Sequence, residues 1–303
     1  MPRFTRRRFL TISAGLAALP ALPVLASTLY QWQGVALGAR AQILLDHPDA
    51  GAIAEAAAAE IARLEAVFSL FRADSALSQL NASGSLSAPP FELLQCLALC
   101  EQVHAATAGL FDPTVQPLWA LYATSHAAGR APTQAEIDQT LPRVGWPGVT
   151  YDDSAVRLRP GMSLTLNGVA QGFIADRVAG LLAEQGLTNI LVNTGEFRAL
   201  GTMPDGQPWP VSLTTGGTLP LVDRSLASSS ALGTTFDAAG QVGHILNPGT
   251  GLPAMPRWKL VSITAPSAGL ADALSTAACL MPDRATIETS LAPFAGAALS
   301  ALG

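Results

Sequence analysis

Four groups of side chains in this sequence have the types and spacing that chemistry requires. In LADALSTAACL, Asp272 and Thr276 stand four residues apart, with Ser275 three from the acid. On a helix those spacings bring the oxygens to one face. Carboxylate, hydroxyl and carbonyl oxygens suit a hard cation such as Mg²⁺, which keeps its other positions for water or phosphate. The same residues also fit an acid complementing the helix dipole, with two hydroxyls bonded back to the backbone. His244, in GHILNPGTG, has a ring that titrates near neutrality and suits a general base, or it holds the turn beside Asn247-Pro248. Gly168 and Gly172 flank a predicted helix start. There, uncovered N–H groups and missing side chains let an anion approach, or let two elements pack closely. Asp112, before Pro113, is a turn former by type.

These groups need a frame to hold them. Over 166–201 an apolar lead-in ends at Asn167-Gly168, and Ile174, Val178 and Leu181 then recur at helical spacing. Gly186 stops that helix, 189–192 reads as a buried strand, and Thr194-Gly195 turns the chain. A long amphipathic helix is predicted over 50–71, its buried face marked by Ile53, Ala57, Ile61, Leu64 and Phe68. Further helices are predicted over 90–106 and from the Ser267 cap to 281. Alternation over 30–45 suggests a hairpin, and 209–213, 225–229 and 260–264 read as strands, with 240–251 a strand running into a turn. Residues 113–165, rich in Pro and Gly, read as a surface excursion with one brief helix over 132–141.

Composition narrows the function. The 303 residues suffice for one large domain or two small ones, with nearly half of them hydrophobic. Thr5-Arg6-Arg7-Arg8-Phe9-Leu10 is a twin-arginine pattern, followed by an apolar run over 12–25 and small residues suited to cleavage after Ala26. The alternative is an uncleaved anchor, although the run is short for a span and carries Pro20 and Pro23. A cleaved signal implies a periplasmic protein with no stable membrane span. Without the first 26 residues the chain carries 13 basic and 22 acidic residues, a net charge of −9. That balance argues against a nucleic acid partner. Lys259 is the single lysine, which leaves almost no candidate for Schiff-base or P-loop chemistry. Cys96, Cys100 and Cys279 form no framework: the first two lie one helical turn apart, a poor disulfide geometry.

Four blocks, taken in order, carry a resemblance. FSLFRADSALSQLN, FDPTVQPL, LNGVAQGFIADRVAGLL…TNILVNTGEFRALG and GHILNPGTGLPA…ADALSTA together resemble the ApbE family of FAD:protein FMN transferases over nearly all of the mature chain. The resemblance implies an α+β fold of T-fold-like type, a single catalytic domain over 27–303. It also implies a Mg²⁺-dependent enzyme that splits FAD, releases AMP and leaves FMN on a Thr or Ser hydroxyl of another protein. The acceptor would be a flavoprotein of a membrane-linked redox system.

Carried over by position, Asp272 and Thr276 match the family's metal ligands, with Ser275 beside them and the Gly168 carbonyl completing the set. Phe71, Arg72 and Ala73 match a stretch where an aromatic contacts the flavin nucleotide. Asp112, Gln171 and Leu246 match further FAD positions, Leu37 falls where Met is frequent, and His244 matches the base for the acceptor hydroxyl. Gln171 departs from the charged residue usual there, and Asn167 stands where Asp is common. The chemistry agrees with the composition, since a pyrophosphate in an acidic protein with one lysine calls for a divalent cation. Two other activities fit the same residues: FAD storage without transfer, and hydrolysis of FAD to FMN and AMP.

Overall fold

The structure, a computed structural model, describes residues 29–303. The twin-arginine segment lies outside the described residues. The chain opens with a hairpin of β1 (Tyr30–Ala36) and β2 (Ala39–Leu45). Its two turn residues, Leu37 and Gly38, both have positive φ (48° and 87°), the geometry that matches the twist of a two-residue hairpin. Leucine rarely adopts that conformation. Here its N–H is held by the Glu65 carboxylate at 2.7 Å.

Helices α1 (Ala50–Phe68), α2 (Ala76–Ser83) and α3 (Phe91–Ala106) follow, with the short strand β3 (Ser85–Ser87) between the last two. The excursion carries α4 (Gln116–Ala127), α5 (Gln134–Thr140), β4 (Val149–Tyr151) and β5 (Ala155–Leu158). Then come α6 (Ala170–Glu184), β6 (Ile190–Asn193), β7 (Phe197–Leu200), β8 (Trp209–Ser212), β9 (Thr218–Leu221) and β10 (Ser225–Ser229). The chain closes with β11 (Val261–Ala265), α7 (Ala268–Ala278), α8 (Arg284–Leu291) and β12 (Ala298–Leu302).

Seven strands form one antiparallel sheet in the order β1-β2-β6-β7-β10-β11-β12. Alternation along each strand gives the sheet two different faces. Ile43, Leu45, Ile190, Val192, Ala227, Val261 and Ile263 join the large core shared with α1, α6 and α7. Leu44, Leu191, Ala199 and Leu226 point the other way, beneath Trp209, Val211 and Leu221 of the β8–β9 hairpin. The α+β class read from the sequence is the one observed.

Three differences from the sequence reading have physical causes. The first helix ends at Phe68 rather than at 71, because Ser69 turns extended and its hydroxyl accepts the N–H groups of Phe71 and Arg72. The stripe of α6 runs through Leu182, not Leu181, so that Ile174, Ala175, Val178, Ala179 and Leu182 form its buried face. Helix α4 lies inside the surface excursion, for which only one brief helix, over 132–141, was expected. Its Pro117 sits at the start, where proline's fixed φ and missing N–H cost nothing, so a proline that reads as a breaker here begins a helix. The Gly186 stop is a Schellman cap: Gly186 N–H donates to the Ala183 carbonyl and Leu187 N–H to that of Leu182. Cys96, Cys100 and Cys279 are buried free thiols.

Candidate active site

Three of the four sequence blocks line one cleft, and the first is tied to it from behind by hydrogen bonds between residues far apart in sequence. The Asn81 side-chain amide clamps Leu164 at both main-chain groups, at 2.7 and 2.8 Å, which fixes the lead-in to Asn167-Gly168. Thr165 N–H donates to the Pro113 carbonyl at 2.8 Å, joining that lead-in to the FDPTV turn. The Thr194 hydroxyl donates to the Gln171 carbonyl at 2.7 Å. Asp176, on α6, accepts the first two N–H groups of α7, from Ala268 and Gly269, at 2.8 and 2.9 Å. It therefore caps the very helix that carries Asp272. Burial pushes the Asp176 carboxyl up to about 6 despite those two bonds.

Helices α6 and α7 cross closely enough to settle one of the open alternatives. A Cβ on Gly172 would lie 2.2 Å from the Ala268 carbonyl oxygen, so only glycine fits at this crossing. Its role is packing. Gly168 is different: it lines the cleft, and a Cβ there would lie 3.0 Å from the Thr276 hydroxyl oxygen. The Gly168 main chain thus stands beside the face of α7 that bears Asp272 and Thr276.

The cleft has a volume of about 1030 Å³. Asp272, Thr276, Gly168, Gln171, Asp112, Leu246 and His244 all line it. Asp272 is buried, with 4% of its surface exposed, rather than on the solvent side of its helix. Burial pushes its carboxyl up to about 7, only partly offset by the Gly172 N–H, 3.4 Å away. An under-satisfied buried carboxylate beside a hydroxyl and a main-chain segment is an all-oxygen donor set, which fits a hard cation. Among the described residues no cluster of three His, Cys, Asp or Glu could hold a metal, so this set needs water or phosphate to complete it.

Ser275 does not belong to that set as the structure places it. Its hydroxyl is fully buried, donates to the Asp272 carbonyl at 3.1 Å and bonds the Ser229 hydroxyl on β10 at 2.7 Å. A helix turns 100° per residue, so positions three and four after Asp272 fall on opposite sides of it. Thr276 goes to the cleft and Ser275 to the sheet.

Phe71, Arg72 and Ala73 are also displaced from expectation. They are exposed and lie outside the cleft lining, on the loop pinned by Ser69, and Arg72 pairs with Asp74 at 2.9 Å. Leu37 is half-buried in the turn, while its neighbours Gly38, Ala39 and Arg40 reach the cleft. The aromatic rings that do line it are Phe111, Trp119 and Phe197. Trp119 meets Phe236 edge-to-face at 5.3 Å, which braces α4 against the loop leading to His244.

Asp112 keeps its turn-forming role inside the cleft wall. Its carboxylate accepts the Thr114 N–H and hydroxyl at 2.8 and 2.6 Å and the Trp146 N–H at 3.1 Å. His244 is held at two points by one carbonyl: its main-chain N–H and its ring Nδ1 both lie on Thr234 O, at 3.1 and 2.9 Å. A carbonyl can only accept, so Nδ1 carries the proton and Nε2 keeps the lone pair. Burial lowers the ring's pKa, opposed by the bond to Thr234, and so favours the neutral form a base needs.

The cleft also holds an acid that was not singled out from the sequence. Glu196, just after the Gly195 turn, opens onto the cleft and accepts the Ser228 N–H at 3.2 Å. Burial and the neighbouring Asp272 push its carboxyl well above the usual carboxylate range. The signal available was an acid following a glycine turn at the end of an apolar strand.

An antiparallel sheet backed by helices, with a cation-type oxygen face and a neutral imidazole opening on one cleft, defines a two-layer α+β protein built around a polar ligand site. The model of the ApbE family matches residues 35–292, and the chain belongs to that family. It is 26% identical over 249 residues to an FAD:protein FMN transferase of Haemophilus influenzae, which covers 75% of this chain and 72% of the relative. An FAD:protein FMN transferase of Vibrio cholerae is 29% identical over 234 residues, covering 70% of this chain and 68% of the relative. Among solved structures, the ApbE protein of Thermotoga maritima superposes with a TM-score of 0.79 at 27% identity, covering 89% of this chain and 92% of that one. A variant of the Vibrio cholerae flavin transferase ApbE gives a TM-score of 0.77 at 24% identity, with 88% and 91% coverage, a likeness of fold.

Proposed function

We propose that this protein transfers FMN from FAD to a Thr or Ser hydroxyl of a second protein and releases AMP. The observation that carries this reading is the pairing, in one cleft, of the Asp272–Thr276 oxygen face with the open Nε2 of His244. Asp272, Thr276 and the Gly168 carbonyl would hold a Mg²⁺ ion, which when bound neutralises the pyrophosphate and eases departure of AMP. His244 Nε2 takes the proton of the acceptor hydroxyl as its oxygen bonds the FMN phosphorus and the bond to the AMP oxygen breaks. The Thr234 carbonyl holds the ring in the tautomer this needs. Gln171 and Leu246 line the FAD path, with Trp119 supplying the aromatic wall that Phe71 does not.

Mass spectrometry of a candidate acceptor flavoprotein after incubation with FAD and Mg²⁺ tests the reading. A mass gain of one FMN on a Thr or Ser, with AMP released in equal amount, is the expected result. FMN set free in solution with no acceptor present would replace transfer by hydrolysis.

Residues 1–26 carry the address in this reading, delivering the folded enzyme to the periplasm, where the acceptor of a membrane-linked redox chain is exposed. No helix among the described residues is long and apolar enough to cross a membrane. Arg6→Lys combined with Arg7→Lys should leave the precursor in the cytoplasm, as read by fractionation and immunoblotting. Unchanged periplasmic delivery of the double variant would refute the assignment.

A further inference from the structure

Helix α7, which carries Asp272 and Thr276, is gripped at its start from two sides. From α6, the Asp176 carboxylate accepts the Ala268 and Gly269 N–H groups at 2.8 and 2.9 Å. From β7, Arg198 Nη1 donates to the carbonyl of Pro266, two residues before the helix begins, at 2.7 Å. One row of the sheet makes that reach possible. Arg198 lies opposite Ser225, and Ser225 opposite Ala265, the neighbour of Pro266. The two arms also meet, with Arg198 Nε 3.8 Å from Asp176 Oδ1. The helix caps only its third N–H locally, from Leu270 to the Ser267 hydroxyl at 3.3 Å. Its first two uncovered donors depend on Asp176.

This arrangement holds the helix more firmly than it holds the acid. Among the described residues the Asp272 carboxylate receives only the Gly172 N–H, at a long 3.4 Å. A side chain held that loosely takes its position from its backbone. Asp272 follows Ala268 by four residues, about 6 Å of rise and about 40° of rotation on a regular helix. A tilt or rotation at the first turn is therefore carried to Asp272 and on to Thr276. The bond from Ser275 to Ser229, at 2.7 Å, fixes α7 to the sheet at one further point. One point sets a distance, and the grip on the first turn supplies the direction.

We infer that Asp176 and Arg198 are positioning residues for the cation site, setting the tilt and rotation of α7 so that Asp272 and Thr276 together face Mg²⁺. Neither residue lines the cleft, so both act through the helix. The inference rests on the cation site of the transfer reading and adds what keeps that site in shape. Charge offers a rival explanation with the opposite sign at one residue. Acting only through its field, the Arg198 cation opposes a divalent ion, and its removal would tighten Mg²⁺ binding. Acting as a grip on Pro266, its removal loosens α7 and weakens Mg²⁺ binding.

Calorimetric titration of Mg²⁺ into the FAD complex, with no acceptor present, decides between them. Asp176→Asn keeps the side chain's size but leaves one oxygen to accept where there were two. It should weaken Mg²⁺ binding about ten- to a hundredfold, the range for losing a residue that orients a metal ligand. Arg198→Gln should weaken it about fivefold. FAD affinity without Mg²⁺, followed by flavin fluorescence, should stay within twofold of wild type in both. Leu182→Ala, which opens a cavity on α6 six residues beyond Asp176, controls for general loosening. It should lower Tm while leaving Mg²⁺ binding within twofold. Tighter Mg²⁺ binding by Arg198→Gln would replace the grip with a field effect. Unchanged binding in both variants, or an equal loss in Leu182→Ala, would overturn the positioning role and leave the cation site standing. A wild type that takes up no Mg²⁺ would overturn the cation site itself, and the positioning role with it.

Discussion

Asp272→Asn should cut Mg²⁺-dependent FMN transfer by about 10³-fold, the scale of losing one preorganised charge at a reacting centre. The substitution keeps the shape of the side chain and removes its charge, and no other carboxylate is placed in the oxygen set. Thr276→Val should cost less, because a hydroxyl is a poorer ligand than a carboxylate. Ser275→Ala should be mild, since its hydroxyl serves the helix and Ser229 rather than the cleft. Stability provides a second readout with a definite sign. The Asp272 carboxyl is raised to about 7 in the folded protein from an ordinary 3.8, so the fold favours its protonated form. That contribution is complete below the ordinary value and is lost as pH rises through about 7. Metal-free wild type should therefore lose thermal stability between pH 5 and 8. Asp272→Asn should show a shallower slope, with the raised Glu196 leaving part of it in both proteins. Added Mg²⁺ should raise the wild-type Tm near pH 8 and leave the variant's unchanged, by mass action on the folded state. Normal turnover of Asp272→Asn at limiting Mg²⁺ would remove Asp272 from the cation site.

Much of the frame could be read from periodicity because α1 and α6 each bury one stripe, whereas α7 is buried on nearly every side and was marked by its Ser267 cap. The Gly186 stop and the Ser267 cap were legible for the same reason, as both are local: each satisfies backbone groups within five residues. What stayed hidden depends on contacts distant in sequence. Nothing near Asp176 announces that it caps a helix some ninety residues later, and nothing near Asn81 announces its clamp on Leu164. Spacing alone put Ser275 and Thr276 on one face with Asp272. The direction in which α7 meets β10 divides them between sheet and cleft. Residues 71–73 show the same limit, since a motif match fixes position along the chain but not where an exposed loop points. Gly172 shows the reverse case, in which the simple packing reading holds while its neighbour Gly168 opens on the cleft.

His244→Ala should separate binding from chemistry. With the imidazole gone, FAD affinity should stay near normal, while single-turnover transfer falls by about two to four orders of magnitude, the range for a positioned base. The rate should also carry the ring's titration. Burial lowers the His244 pKa below its ordinary 6.5, so the neutral base persists to lower pH than a solvent-exposed histidine would allow. Wild-type transfer should then hold level down through pH 6.5 and fall only below the lowered value, as the ring takes up a proton. The residual rate of His244→Ala should lack that fall. His244→Asn gives a further arm, because its amide can still donate to the Thr234 carbonyl without offering a basic nitrogen. If the ring only holds the loop, the Asn variant should recover both stability and transfer. If Nε2 is the base, it should recover stability alone. Equal transfer rates for wild type and a stable His244→Asn would rule out the base, whatever the pH profile shows.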